Sequence, residues 1–72
     1  MNRIYFNKDG IANFEIKNYY LFINLKNNDQ VTVREENEEK KSELLRRLIR
    51  MLRGQDDYVA YYDYDTDELI IE

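Results

Sequence analysis

The segment from Glu38 to Arg53 has the strongest pattern in the sequence, and it predicts an amphipathic helix. Apolar side chains recur there at three- and four-residue spacing, which places them on one face of a helix. They are Leu44, Leu45, Leu48, Met51 and Leu52. Acidic residues precede them, and Gly54 follows where a left-handed C-cap is expected. A helix with one apolar face needs a cover for that face, so this segment constrains the rest of the chain.

The segments before the helix alternate between apolar and polar residues, and they predict a meander of four antiparallel strands. Residues 8–10 form a predicted hairpin loop that places Phe6 opposite Ala12. A two-residue turn at 17–18 places Phe14 opposite Leu21, and a loop at 27–29 follows. The apolar face of this meander is predicted to contain Ile4, Phe6, Ala12, Phe14, Ile16, Leu21, Ile23, Leu25, Val31 and Val33. We expect the leucine face of the helix to cover it.

The segment after Gly54 predicts a C-terminal β-hairpin. Residues 58–64 and 68–71 contain β-branched and aromatic residues on either side of a polar turn. A chain of 72 residues is long enough for one domain only. The sequence therefore predicts a single α+β domain over residues 1–72, with the order ββββαββ.

The outer face of the predicted meander is a candidate protein-binding surface. Its notable members are Tyr5, Tyr20, Phe22 and Arg34. Exposed aromatic side chains beside an arginine are typical of binding hot spots, and monomers rarely leave such a patch uncovered. We expect a second copy of the chain to cover it, which would make a homodimer. Two alternatives are that the C-terminal hairpin covers the patch, or that the aromatic residues only form stabilising cross-strand pairs.

The C-terminal segment offers a second candidate surface, because it is acidic and rich in tyrosine. The acidic residues are Asp56, Asp57, Asp63, Asp65, Asp67, Glu68 and Glu72, and the first six are the candidate binding residues. Such a surface can imitate the charge spacing of nucleic acid and occupy the binding channel of a nucleic-acid-handling protein. The alternative is an ordinary acidic hairpin that keeps a small protein soluble.

The polar face of the predicted helix carries four arginines, and it suggests an alternative function. They are Arg46, Arg47, Arg50 and Arg53. Such a face can bind phosphates or a carboxylate-rich partner, as in a nucleic-acid-binding or regulatory protein, or it can be a solvated face with ion pairs to Glu43. The net charge of −4 argues against general affinity for a phosphate backbone, so binding to nucleic acid is not expected.

The composition predicts neither catalysis nor a bound cofactor. The sequence contains no histidine and no cysteine, so it lacks a histidine base, a cysteine nucleophile and a Cys/His zinc site. We therefore expect a protein that is not an enzyme and has no cofactor or metal.

Apolar runs are shorter than the ~20 residues of a membrane span, so we expect no membrane partner. The absence of cysteine and of an N-terminal signal leads us to expect a cytoplasmic protein.

In size and charge the chain resembles small acidic proteins of phages and plasmids, such as anti-CRISPR proteins and uracil-glycosylase inhibitors. This resemblance is one of composition and assigns no residues. It implies a protein of phage or mobile-element type that inhibits a nucleic-acid-handling protein. The sequence thus favours a protein-interaction module over a nucleic-acid-binding protein or a homo-oligomeric structural subunit.

Overall fold

In the computed structural model, which describes residues 2–72, six strands and one α-helix form an α+β fold, as predicted. The elements are β1 (Arg3–Phe6), β2 (Ile11–Lys17), β3 (Tyr20–Leu25), β4 (Gln30–Arg34), α1 (Glu38–Leu52), β5 (Ala60–Asp63) and β6 (Glu68–Ile71). A short 3₁₀ helix, Lys8–Gly10, joins β1 to β2. The predicted order ββββαββ is therefore confirmed, and β5 and β6 form the predicted C-terminal hairpin.

Helix α1 agrees with the prediction to within one residue because local signals specify both of its ends. The side chain of Asn37 caps the N-terminus by accepting hydrogen bonds from the backbone N–H groups of Glu39 (3.0 Å) and Lys40 (3.1 Å). Gly54 follows the helix with a φ of 70°, as expected for a left-handed cap. The apolar face is directed inward, and Leu48 is fully buried.

The strands form two three-stranded antiparallel sheets, in the orders β2-β3-β4 and β1-β5-β6. Strands β2, β3 and β4 make the predicted meander, but the predicted pairing of β1 with β2 is wrong. Phe6 lies opposite Ala60, not opposite Ala12. The reason lies at Asn7, whose side chain caps the 3₁₀ helix by accepting from the N–H of Asp9. This short helix replaces the predicted hairpin loop between the two strands.

Within the meander, the register differs from the prediction by two residues. Phe14 lies opposite Ile23 instead of Leu21, because the turn occupies Asn18 and Tyr19. Asn18 has a φ of 55°, which asparagine tolerates better than most residues. Side chains alternate with a period of two along a strand, so a shift of two residues leaves the side chains of residues 13–17, β3 and β4 on their predicted faces.

A single core contains side chains from both sheets and from α1. Its buried members are Phe6, Ile11, Leu21, Ile23, Leu25, Val31, Val33, Leu48, Met51, Ala60, Tyr62, Leu69 and Ile71. Two predicted members are wrong. A bulge between Ile11 and Asn13 buries Ile11 and leaves Ala12 exposed. Ile16 remains 48% exposed on the edge strand β2.

Candidate protein-binding surface

The outer face of β2-β3-β4 carries three rows of cross-strand neighbours, and we call it the meander face. The rows are Lys17–Tyr20–Arg34, Glu15–Phe22–Thr32 and Asn13–Asn24–Gln30. Tyr20 and Phe22 are stacked, with ring centroids 6.0 Å apart and ring planes inclined by 23°. Tyr20 is exposed and Phe22 is half-buried. The register places Tyr20, not Phe22, directly opposite Arg34. The structure thus brings together three of the four predicted members of this surface.

The amide row forms a polar border beside the aromatic pair. Asn24 Nδ2 donates to Asn13 Oδ1 (2.6 Å), and Gln30 Nε2 donates to Asn24 Oδ1 (2.9 Å). Each strand of the meander contributes one side chain, so the bonds link the three strands across this face. The contact between Asn13 and Asn24 depends on the correct register, so the sequence alone did not indicate it.

Arg34 borders the aromatic pair at the opposite end of the meander face. Its Nη2 lies 2.7 Å from Glu36 Oε1, and both side chains are well exposed to solvent. The hydrogen bond that Arg34 donates to Glu36 raises the pKa of the Arg34 guanidinium above its ordinary value. An exposed ion pair is only weakly stabilising, so a partner that offers a better carboxylate can displace Glu36.

The structure separates Tyr5 from the meander face. Tyr5 lies on the outer face of the other sheet, where its ring centroid is 5.3 Å from that of its cross-strand neighbour Tyr61. Arg3 stacks on the same Tyr61 ring at 4.7 Å from the guanidinium carbon to the centroid. The C-terminal hairpin pairs with β1 in that sheet. It leaves Tyr20 on the meander face 39% exposed.

Asp63 is a structural residue in this fold, although the sequence suggested it as part of an acidic surface. It is the single buried charged residue in the described part of the chain. Its Oδ1 accepts from the N–H of Asp65 (2.9 Å), and its Oδ2 lies 3.2 Å from Arg3 Nε. The backbone hydrogen bond from Asp65 and the contact with Arg3 lower the pKa of the Asp63 carboxyl below its ordinary value.

Three more of the six acidic candidates have partners inside the molecule. Asp56 forms an ion pair with Arg50, which lowers the pKa of its carboxyl. Asp67 accepts a hydrogen bond from the hydroxyl of Tyr62 (2.9 Å), and Asp65 accepts a longer one from the N–H of Asn2. Asp57 and Glu68 make no side-chain hydrogen bond or ion pair with any other residue between 2 and 72. Among the six candidates, these two carboxylates are therefore the ones that residues 2–72 leave free to meet a partner.

The arginines of α1 are mostly ion-paired. Glu43 binds both Arg46 (2.7 Å) and Arg47 (3.0 Å), and the hydrogen bonds from these arginines lower the pKa of the Glu43 carboxyl. Arg47 Nη1 also donates to the backbone carbonyl of Ile71 (3.0 Å), which ties α1 to β6. Arg50 pairs with Asp56. Arg53 has no ion pair within residues 2–72.

Residues 2–72 contain no group of three or more side chains that could hold a metal ion. Over the same residues, no helix is long and apolar enough to cross a membrane.

No protein-family model matches this chain, and neither a curated protein nor a solved structure is significantly similar to it. A fold does not by itself define a function, because function depends on the surfaces that the fold presents. Among these, the meander face combines two stacked aromatic rings, the cations of Lys17 and Arg34, and a polar border.

Proposed function

We propose that this chain is a small non-enzymatic protein-interaction module that binds another protein through the meander face. The observation that supports the proposal is the stacked pair of Tyr20 and Phe22 beside Arg34, on a sheet face that residues 2–72 leave uncovered. Aromatic and arginine side chains are the residue types that contribute most to binding at protein interfaces.

The physical properties of the meander face suit this role. Aromatic rings offer a large contact area and lose little conformational entropy on binding. Burying their apolar surface is worth about 25 cal/mol for each Å² removed from water. The amide row Asn13–Asn24–Gln30 and the charged side chains Glu15 and Lys17 form a polar edge around the rings. An aromatic centre with a polar rim is the usual organisation of a protein interface.

A second form of the proposal is that the partner is a nucleic-acid-handling protein, which the chain inhibits by imitating nucleic acid. The net charge of −4 favours binding to a basic surface. Asp57 and Glu68 are the acidic side chains that we expect to contribute. The ion pairs of Asp56 with Arg50 and of Asp63 with Arg3 reduce the charge that the segment presents, so this form has weaker support than the meander face.

The two other functions that the sequence suggested have less support. Nucleic-acid binding through α1 would require Arg46, Arg47 and Arg50 to exchange carboxylate partners for phosphates. Self-association through the meander face would bring two copies of a chain with net charge −4 together. Self-association through the meander face is the form of the proposal in which the bound protein is a second copy of the chain.

Affinity capture with paired variants tests the proposal. Tyr20→Ser combined with Phe22→Ser removes the aromatic pair, and Tyr64→Ser is the matched control because Tyr64 is also exposed. We expect a protein captured by the wild type to be retained by the control and lost by the double variant. Circular dichroism checks that all three chains fold. If the double variant retains the partner and Asp57→Asn with Glu68→Gln loses it, the acidic segment is the binding surface instead.

A further inference from the structure

We propose that the open edge of β2 pairs with the same strand of a second copy, so that two meanders join into one six-stranded sheet. The first observation is that β2 is an edge strand with incompletely buried apolar side chains. Ile16 is 48% exposed and Phe14 is half-buried, although both point to the core side of the sheet. A long edge strand with exposed apolar side chains is a site where another strand can add.

The backbone groups of the same residues point toward the open edge. The N–H of Glu35 donates to the carbonyl of Tyr19, the residue before β3. Backbone hydrogen bonds alternate between the two sides of a strand, so Leu21 and Ile23 of β3 also form theirs with β4. The residues between them, Tyr20 and Phe22, therefore bond to β2, where they lie opposite Lys17 and Glu15. It follows that Phe14 and Ile16 direct their N–H and C=O groups away from β3.

The sequence of β2 is self-complementary in the antiparallel direction. With a two-fold axis at Phe14, the two Phe14 residues face each other, and Ile16 faces Ala12 of the second copy. All of these side chains are apolar; Phe14 and Ile16 lie on the core side, and Ala12 is exposed at the bulge. On the outer side, Glu15 faces Asn13 of the second copy, so no like charges are opposed. An interface in which one surface matches itself is what a two-fold dimer requires.

Charge selects this register over the neighbouring one. An axis at Glu15 would place the two Glu15 carboxylates directly opposite each other, and opposed like charges destabilise a strand pair. Lys17 and Glu15 are the only charged residues of β2 and they cancel, so the net charge of the protein is not concentrated at this edge. A second copy is thus a better occupant of this edge than a strongly charged peptide.

This inference extends the proposed function, because it names a second copy as one partner, but it concerns a different surface. The β2 edge lies in the plane of the sheet, whereas the meander face lies on one side of it. Dimers formed in this way would present two meander faces side by side and leave Tyr20 and Phe22 available to another protein. Variants at the two surfaces therefore give separate answers.

Sedimentation velocity of the full chain over a wide range of concentration tests the edge pairing. We expect the wild type to form dimers as its concentration rises, and Ile16→Lys to weaken dimerisation by at least about tenfold, since a lysine at an edge blocks strand addition. Val59→Lys is the matched control, because Val59 is 49% exposed and lies outside β2. A wild type that stays monomeric throughout, or an Ile16→Lys variant that dimerises like the wild type, overturns the proposal.

Two further chains distinguish edge pairing from dimerisation through the meander face. A synthetic chain with an N-methyl group on Phe14 loses one edge-directed N–H and keeps every side chain, and we expect it to dimerise more weakly than the unmodified chain. The double variant Tyr20→Ser, Phe22→Ser should dimerise like the wild type. If it is monomeric while the N-methyl chain still dimerises, the interface is the meander face and edge pairing is wrong.

Discussion

The guanidinium of Arg3 and the carboxylate of Asp63 lie opposite each other on neighbouring strands, with Nε 3.2 Å from Oδ2, although 60 positions separate them in the sequence. This pair joins the first strand of the chain to the C-terminal hairpin. It is one of the contacts between β1 and β5, and it makes Asp63 a structural residue that is not part of an open acidic surface.

The first prediction concerns this ion pair and its dependence on pH. Contacts with Asp65 and Arg3 hold the pKa of Asp63 below its ordinary value of 3.8. Ionised Asp63 therefore stabilises the fold above pH 3.8, and this contribution is lost as the pH falls through the lowered folded-state pKa. Urea denaturation at several pH values should show Asp63→Asn less stable than the wild type at neutral pH, with the difference shrinking below pH 4. A matching pH dependence in the control Asp57→Asn would contradict this role for Asp63.

The second prediction concerns Tyr62 at alkaline pH. Burial, with a smaller contribution from the hydrogen bond to Asp67, raises the pKa of Tyr62 to about 12 from an ordinary value of 10.0. The neutral phenol is favoured in the fold, so its contribution is complete below pH 10 and is lost as the pH rises toward 12. At neutral pH, Tyr62→Phe should cost about 0.5–1.5 kcal/mol through the lost hydrogen bond. In alkaline denaturation the wild type should lose stability over this range more steeply than Tyr62→Phe, and equal slopes would contradict the prediction.

The third prediction tests the packing of α1 on the sheets. Leu48 is fully buried in the core, so Leu48→Ala should reduce the free energy of unfolding by about 2–5 kcal/mol. Ile49→Ala is the control, because Ile49 is 38% exposed on the same helix and should change stability much less. Both are measured by urea denaturation. A loss below about 0.5 kcal/mol for Leu48→Ala would show that the helix packs differently.

The fourth prediction tests the cap of α1. Asn37 satisfies two backbone N–H groups at the first turn, so Asn37→Ala should reduce stability by about 0.5–2 kcal/mol. Asn37→Asp keeps an acceptor at the same position and should restore most of the loss. Thermal denaturation of the three chains measures the effect. Equal losses in the alanine and aspartate variants would exclude a capping role.

The sequence was informative where structure depends on neighbouring residues. The bounds of α1 follow from the apolar spacing and from Gly54, and they agree with the structure to within one residue. The faces of β3 and β4 were also predicted, because the alternation of their side chains tolerates a register error of two residues. Asn37 was missed as a cap because the acidic residues around it gave the more obvious signal for a helix start.

The sequence was less informative where two structures satisfy the same local chemistry. Residues 7–10 suit a hairpin loop, but they also suit the 3₁₀ helix that the structure contains. Choosing between them requires knowing that β1 pairs with β5, and nothing near β1 indicates this. The same missing contact explains why Tyr5 was placed beside Tyr20, and why Asp63 was assigned to a binding surface before its partner Arg3 was apparent.

Site-specific photocrosslinking tests the proposal that the meander face binds another protein. A photoreactive phenylalanine derivative replaces Tyr20 in one chain and Tyr64 in another, since both side chains are exposed and aromatic. Each chain is irradiated in the cells that produce the protein. We predict a discrete crosslinked protein with the reactive group at position 20, and its absence with the group at position 64. A crosslinked protein obtained from position 64, with none from position 20, would contradict the proposal and place the interface on the C-terminal hairpin.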